Sequence, residues 1–263
     1  MMISHKYKVI FIHVPKCAGT SMEVFLKDYA DAAPTNAEEG LEHFFKRHAL
    51  VAVLNAYPDY FIFTFVRNPY ERFVSAWKHS IRAHSTDESS YFYRQEKNLS
   101  LKEYAYLVRE RDLKRLSGFD KYHSLPQIKF IPDFNTKMFG RELKQNMTCD
   151  FIGRFEKLEN DFAKLCCRLQ INTYVLPRYM VSPEQESESI VKSYGKYYDP
   201  ELLRVVEDIY DEDFKRLGYS YNLNHNERML RPREQAILRT KMMVGDIRKG
   251  IRKIKLRVKS GWQ

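Results

Sequence analysis

The sequence holds no run of about 18 apolar residues, so no membrane-spanning helix is expected. Four cysteines, Cys17, Cys149, Cys166 and Cys167, show no C-x-x-C spacing and no partnering His cluster. That pattern excludes a disulfide framework and a zinc site, and it points to reduced, mostly buried thiols in a reducing compartment. Glycine is scarce, at 10 in 263 residues, and the G-x-x-x-x-G-K-[ST] loop of nucleotide triphosphatases is missing. The first strand is expected within about eight residues of Met1, too early for a signal peptide, so a cytoplasmic protein is expected. No internal repeat is visible. Basic charge is lacking too, except at one end. Twelve of the 44 Lys and Arg but only two of the 34 acids lie from Arg228 onward, and those twelve account for the whole net charge of +10. The pI is a property of that tail, not evidence for a nucleic-acid-binding domain.

What remains is rich in core-forming residues, with 44% hydrophobic and 14% aromatic side chains. One α/β domain over residues 1–222 and a basic extension over 223–263 are expected. Within the domain, Val9 to Val14 is almost wholly apolar and reads as a strand buried on both faces of a parallel sheet. Pro15, Lys16, Cys17, Ala18 and Gly19 break the run. Thr20 and Ser21 then open a helical pattern through Met22, Phe25 and Leu26. A strand, a tight loop with Lys and Gly, and hydroxyls at a helix start form a layout for binding phosphate. Free N–H groups and the positive helix end face the anion there. The alternative is a Pro-broken turn with Thr20 as an ordinary N-cap.

Leu41 to Ala56 reads as a helix containing His48, and Tyr60 to Val66 as a second strongly apolar strand. Arg67-Asn68-Pro69 follows at once. Asn68 is expected to cap a helix that Pro69 begins and that carries Tyr70, Phe73, Val74 and Trp77 on one side. Ligands of open parallel sheets sit beyond the carboxyl ends of strands, where both loops would lie. Arg67 and Ser75 would then face one anion; the plainer reading pairs Arg67 with Glu71 and packs Ser75 against a helix. His84 to Asn98 reads as a polar surface loop, Leu99 to Leu116 as a helix, and Val181 to Ser193 as a mobile loop over the site.

His13-Val14-Pro15-Lys16-Cys17-Ala18-Gly19-Thr20-Ser21 resembles the 5′-phosphosulfate loop of sulfotransferases that use 3′-phosphoadenosine 5′-phosphosulfate (PAPS). Arg67-Asn68-Pro69 through Arg72 to Ser75 resembles their 3′-phosphate motif, R-[DN]-P-x-x-R-x-x-S. Phe151 to Phe162 is similar to their F-I-G-R-F-E-x-L-x-x-D-F segment. Tyr197-Tyr198-Asp199, Tyr210, Asp213-Phe214 and Gly218-Tyr219 resemble their closing helix, and His123, Pro126 and Gln127 an H-x-x-P-Q element on the acceptor side. The resemblance covers about Tyr7 to Tyr221 and is strongest to the carbohydrate (Golgi-type) branch and its soluble bacterial relatives. It implies a three-layer α/β fold with a central parallel sheet and a P-loop-like phosphate-binding loop.

The resemblance also implies roles. Lys16 would touch the bridging oxygen and the 5′-phosphate, with Cys17, Ala18, Gly19, Thr20 and Ser21 completing the loop. Arg67 and Ser75 would hold the 3′-phosphate, and Arg154 would either approach the nucleotide or pair with Glu156 or Glu159. His48, in a stretch similar to the branch's K-H-x-x-A element, would be the base; the plainer reading is a packed or surface histidine. His123 is the second choice, as base or acceptor-binding group, and His13 reads as a structural strand-end residue. The expected donor is PAPS, the expected acceptor a saccharide or glycolipid, and no metal is required.

Ile237, Val244, Ile247, Ile251, Ile254 and Val258 form one helical stripe flanked by basic residues, with Trp262 near the end. This stripe reads either as a helix contacting an anionic membrane, at its inner face, or as one docked on the catalytic domain. Nucleic acid is disfavoured as a partner, because no recognised module accompanies the tail. The rival functions are a nucleotide or small-molecule kinase and a catalytically dead membrane or nucleic-acid adaptor.

Overall fold

A computed structural model describes residues 1–26, 42–84, 99–110, 116, 118–144, 147–172, 176 and 194–221, without the side chains of 42–48, 82–84 and 119. The chain divides into two compact units, Met1–Asn224 and His225–Gln263, and every described residue belongs to the first. The polar loop after His84, the expected loop over the site and the basic C-terminal helix lie outside the described residues.

The described elements are β1 (Met2–Ser4), β2 (Val9–Ile12), α1 (Gly19–Leu26), α2 (Glu42–Ala56), β3 (Phe61–Val66), α3 (Pro69–His84), α4 (Leu101–Glu110), α5 (Gly118–His123), β4 (Lys137–Met138), β5 (Arg141–Glu142), β6 (Phe151–Arg154), α6 (Leu158–Leu169), α7 (Pro200–Ile209) and α8 (Asp211–Leu217). Short 3₁₀ turns occupy Gln127–Phe130, Pro132–Phe134 and Phe155–Lys157. The main sheet runs β1-β2-β3-β6. β2, β3 and β6 are parallel, and β1 joins the edge antiparallel to β2. The expected sheet is therefore mostly, not wholly, parallel. At three residues, β1 is too short to leave a periodic signal. The β4–β5 hairpin turns through Phe139 and Gly140, both at positive φ (50° and 80°), as a type I′ turn demands.

All four residues of β2 are buried. Because successive strand side chains point to opposite faces, both faces of the sheet are covered. One apolar cluster joins the strands to α1, α2 and α6 through Met22, Phe25, Leu54, Phe162 and Leu165. A second is helical, and there Phe73 and Val74 of α3, Tyr104 of α4, Val206 of α7 and Phe214 of α8 are buried together.

The helix starts follow their sequence cues. The Asn68 side chain accepts from Tyr70 N–H at 2.9 Å, ahead of Pro69. Ser100 and Glu103 form a reciprocal capping box on α4, with Ser100 N–H to Glu103 Oε2 at 2.8 Å and Glu103 N–H to Ser100 Oγ at 3.3 Å. Asp199 caps α7, accepting from Leu202 N–H at 2.7 Å.

Pairing of Ile12 with Thr64 aligns the carboxyl ends of β2 and β3, and Thr64 Oγ1 donates to Ile12 O at 2.7 Å across them. The segments carrying Lys16 and Arg67 therefore leave the sheet side by side. On β3 itself, the Phe65 ring fills the space over Gly153 of β6. A Cβ at Gly153 would lie 2.3 Å from Phe65 Cε1 and 2.6 Å from Cδ1. Gly153→Ala is expected to lower stability by about 1–3 kcal/mol through overpacking, read as a lower urea midpoint with unchanged slope; an unchanged midpoint would contradict the packing described.

Candidate functional site

The loop after β2 holds two non-glycine residues in left-handed backbone geometry, Lys16 at φ 67° and Ala18 at φ 64°, on either side of Cys17. Such residues cost on the order of 1–3 kcal/mol each and persist only where their surroundings impose them. Three contacts impose them here. Arg72 Nε donates to Pro15 O at 2.9 Å, Cys17 Sγ donates to Gln127 Oε1 at 3.3 Å, and Arg67 Nη1 reaches Lys16 O at 3.5 Å. Burial pushes the Cys17 thiol up to about 12, so it stays a neutral donor. Successive N–H groups in alternating backbone geometry form an anion-binding concavity. Lys16 and Ala18 border it half-buried, Gly19 and Ser21 are buried, and Thr20 is exposed at the start of α1.

Gln127 joins the two loops. Its side chain is wholly buried (0% exposed) and uses its full hydrogen-bonding capacity. Oε1 accepts from Arg67 N–H at 2.8 Å and from Cys17; Nε2 donates to Arg67 O at 2.8 Å and to Asp213 Oδ2 at 3.4 Å. Asp213, on α8, also accepts from the N–H groups of Gln127 (2.8 Å) and Ile128 (3.1 Å). Burial pushes the Asp213 carboxyl up, while the Arg72 charge and these N–H groups pull it down. Arg72 completes the frame by donating from Nη2 to His123 O at 3.1 Å.

Arg67 is buried among different groups. Nη2 donates to Tyr194 Oη at 2.9 Å, and the guanidinium lies 4.0 Å from the centre of the Phe155 ring. Its Nε stands 3.5 Å from Glu71 Oε2 and makes no hydrogen bond. The pairing with Glu71, the plainer reading of Arg67, is thus present. Burial pushes the Glu71 carboxyl up to about 7; Arg67 opposes this, and the nearby Glu156 charge adds to it. Glu156 itself accepts from Asn68 N–H at 2.5 Å and from Tyr219 Oη at 3.1 Å.

Of the residues singled out in the sequence, Lys16, Cys17 and Arg67 are brought together, and the His123 backbone joins them through Arg72. The His123 ring lies half-buried, 5.2 Å from the ring of His79. Ser75 is half-buried on α3, two turns beyond Arg67. His48 lies in α2, and its side chain is outside the described residues. Arg154 is turned elsewhere, with Nη2 donating to Leu217 O at 2.6 Å and the guanidinium 4.6 Å from the centre of the Tyr219 ring; neither expected carboxylate pairing is among its bonds here. Asp213, Arg72 and Tyr194 received no role from the sequence, Gln127 was placed on the acceptor side, and Glu156 was considered only as a partner of Arg154. All but Tyr194 stand at fixed positions of the segments quoted above, and that was the available signal. Among the described residues, no group of three His, Cys, Asp or Glu side chains is placed to hold a metal, and no helix is long and apolar enough to cross a membrane.

Fold and site define an α/β protein in which the loop after β2, with its left-handed residues, and a buried arginine meet at the carboxyl ends of two parallel strands. The family model for the sulfotransferase family matches residues 1–220, and the chain belongs to that family. Transfer of sulfuryl groups is the chemistry that goes with this membership. A crystal structure of a sulfotransferase from Alicyclobacillus acidocaldarius is similar over 82% of this chain and 92% of that one, at 16% identity and a TM-score of 0.37. None of the curated proteins matches the chain.

The raised Glu71 carboxyl has a defined consequence for stability. Between the usual 4.5 and about 7, the folded protein keeps a proton that the unfolded chain releases. This contribution is fully present below pH 4.5 and lost as pH rises through about 7. Glu71→Gln removes it, so the variant's stability relative to wild type is expected to rise across that window by on the order of 3 kcal/mol. Denaturant titrations at several pH values measure the difference, and parallel profiles would refute it. Asp213 and Asp133, also raised, are present in both proteins and cancel.

Proposed function

We propose that this protein transfers the sulfuryl group of PAPS to a hydroxyl of a saccharide or glycolipid acceptor. The observation that carries the reading is the meeting of the Lys16 loop and Arg67, with Arg67 Nη1 3.5 Å from Lys16 O. PAPS carries phosphates at its 5′ and 3′ ends, and the residues present suit both. The left-handed loop and Lys16 suit the 5′-phosphosulfate. The buried Nε of Arg67, which makes no hydrogen bond, suits an anionic oxygen, with Ser75 as a second donor.

When bound, the donor supplies an activated sulfur–oxygen bond. In the transfer, a bond forms from the acceptor oxygen to sulfur and the bond from sulfur to the oxygen that bridges it to the 5′-phosphate breaks, that oxygen leaving with adenosine 3′,5′-bisphosphate. Lys16 offsets charge growing on the bridging oxygen as that bond breaks, in keeping with a compact cation. The acceptor's proton passes to His48, or to His123 as the second candidate, since an imidazole accepts a proton near neutrality. Arg154 is a weaker candidate for the nucleotide because its guanidinium already holds Leu217 O. The acceptor class and a cytoplasmic setting rest on the resemblance to the carbohydrate branch and its bacterial relatives. Contact of the C-terminal basic stretch with an anionic membrane would suit a lipid-linked acceptor.

Thermal unfolding with adenosine 3′,5′-bisphosphate in EDTA tests the donor site. At about 100 times its dissociation constant, the bisphosphate is expected to add roughly 2.7 kcal/mol, raising Tm by several degrees. Arg67→Ala should abolish the shift. A shift only with ATP and Mg²⁺ would replace this reading with a kinase, and no shift with either would favour an adaptor. Sulfate transfer from labelled PAPS to a saccharide panel, compared between wild type, His48→Asn and His123→Asn, then identifies the base. The true base should lose activity by about 10²–10⁴-fold while bisphosphate binding is kept.

A further inference from the structure

Tyr194 meets Arg67 from a distant part of the chain, 127 residues further on. Its hydroxyl accepts from Arg67 Nη2 at 2.9 Å, and among the described residues it makes no other hydrogen bond. A phenol oxygen both accepts and donates, so the Tyr194 hydrogen is unspent. Tyrosines packed nearby do spend theirs. Tyr198 donates to Tyr70 O at 2.7 Å, Tyr210 to Ser124 O at 2.7 Å and Tyr219 to Glu156 Oε2 at 3.1 Å. Buried donors as a rule have an acceptor, and Tyr194 is only 5% exposed. A second unspent donor stands close by, the buried Nε of Arg67. Two such donors side by side point to an anion.

The geometry around Arg67 says where that anion would lie. The guanidinium stacks over the Phe155 ring, 4.0 Å from its centre, and lies 5.6 Å from the centre of the Tyr194 ring. With its faces flanked by rings, the group is open to a ligand along the edges of its plane, where its N–H bonds point. Arginine grips an oxyanion through two parallel bonds, along either the Nε–Nη2 or the Nη1–Nη2 edge. Nη2 belongs to both edges, so the hydroxyl bonded to it stands beside whichever edge is used. A phosphate presents several acceptor oxygens. One can take the arginine fork while another takes the phenol hydrogen. Accepting from a cationic N–H also polarises the O–H bond, which strengthens the hydrogen bond that the hydroxyl gives.

We propose that Tyr194 binds the donor nucleotide directly, its hydroxyl accepting from Arg67 Nη2 and giving its own hydrogen to an oxygen of the 3′-phosphate that Arg67 grips. This deepens the PAPS reading and rests on it. Tyr194 then helps the site select nucleotides that carry a 3′-phosphate over those that do not. It lies far outside the R-[DN]-P-x-x-R-x-x-S motif, so the 3′-phosphate site is the joint product of two separate segments.

The test uses two nucleotides that differ only in the 3′-phosphate. Dissociation constants for adenosine 3′,5′-bisphosphate and adenosine 5′-monophosphate are measured by calorimetry on the full chain as wild type, Tyr194→Phe, Arg67→Lys and the double variant. Phe keeps the ring beside Arg67 and removes only the hydroxyl. It is expected to weaken the bisphosphate about tenfold or more, the size of one hydrogen bond to a charged group, and to leave the monophosphate within about twofold. Arg67→Lys keeps a cation but removes the fork that the hydroxyl adjoins. On that background Tyr194→Phe should still weaken the bisphosphate several-fold. No further loss there would mean that Tyr194 acts only by orienting Arg67, and would overturn the proposal. Unchanged bisphosphate affinity in Tyr194→Phe would overturn it too, as would equal losses for both nucleotides, which would make the hydroxyl a support for the fold. A wild type that binds neither nucleotide would overturn the PAPS reading itself, and the two failures are therefore distinguishable.

Discussion

The site depends on one buried carboxylate. Asp213 is 0% exposed and lies about 86 residues after Gln127, yet it accepts from the backbone and side chain of Gln127 and from Ile128 N–H. A charge in that position persists only with compensation, which comes from these donors and from Arg72, itself 1% exposed. Removing one partner from such a buried arrangement typically costs about 3–5 kcal/mol, because the other charge is left uncompensated. The cost would fall on the loop after β2, since Arg72 holds Pro15 O and Gln127 holds Cys17. The left-handed residues Lys16 and Ala18 are affordable because this frame fixes both ends of their turn.

Much of this was legible in the sequence where the cause is local. Apolar runs ended by Pro15 and by Arg67-Asn68-Pro69 marked two of the three parallel strands and both helix starts, and Asn68 caps α3 as its chemistry requires. The pairing of Arg67 with Glu71 follows from i,i+4 spacing on a helix. What escaped has its cause elsewhere in the chain. β1 exists because three residues fold back onto β2, and no periodicity marks so short a segment. The turn at Phe139-Gly140 lacks the usual Asn-Gly or Asp-Gly signal.

Gly19 shows the same division inside the site. In the sequence it reads as the glycine of a tight phosphate-binding loop. In the structure its role is steric, because the His13 ring occupies the place of its Cβ. Gly153 repeats the arrangement with Phe65 on the neighbouring strand. In both cases the aromatic ring belongs to another element, so only the three-dimensional packing explains the glycine.

Two arginines five residues apart show why motif matches alone cannot separate framework from ligand contact. Both Arg67 and Arg72 are buried, and both belong to one sequence pattern. A guanidinium has five N–H donors, and what decides its role is how they are spent. Arg72 spends Nε and Nη2 on the carbonyls of Pro15 and His123 and sets its charge against Asp213. A ligand would have to displace backbone contacts to reach it. Arg67 gives Nη2 to the Tyr194 hydroxyl, reaches Lys16 O only at 3.5 Å, and leaves Nε without a hydrogen bond beside Glu71. Its nearest carboxyl is also the one that burial drives toward neutrality, which weakens that claim on its charge. Of the two, Arg67 alone keeps a buried Nε that makes no hydrogen bond, and the sequence pattern, which contains both, does not encode that difference.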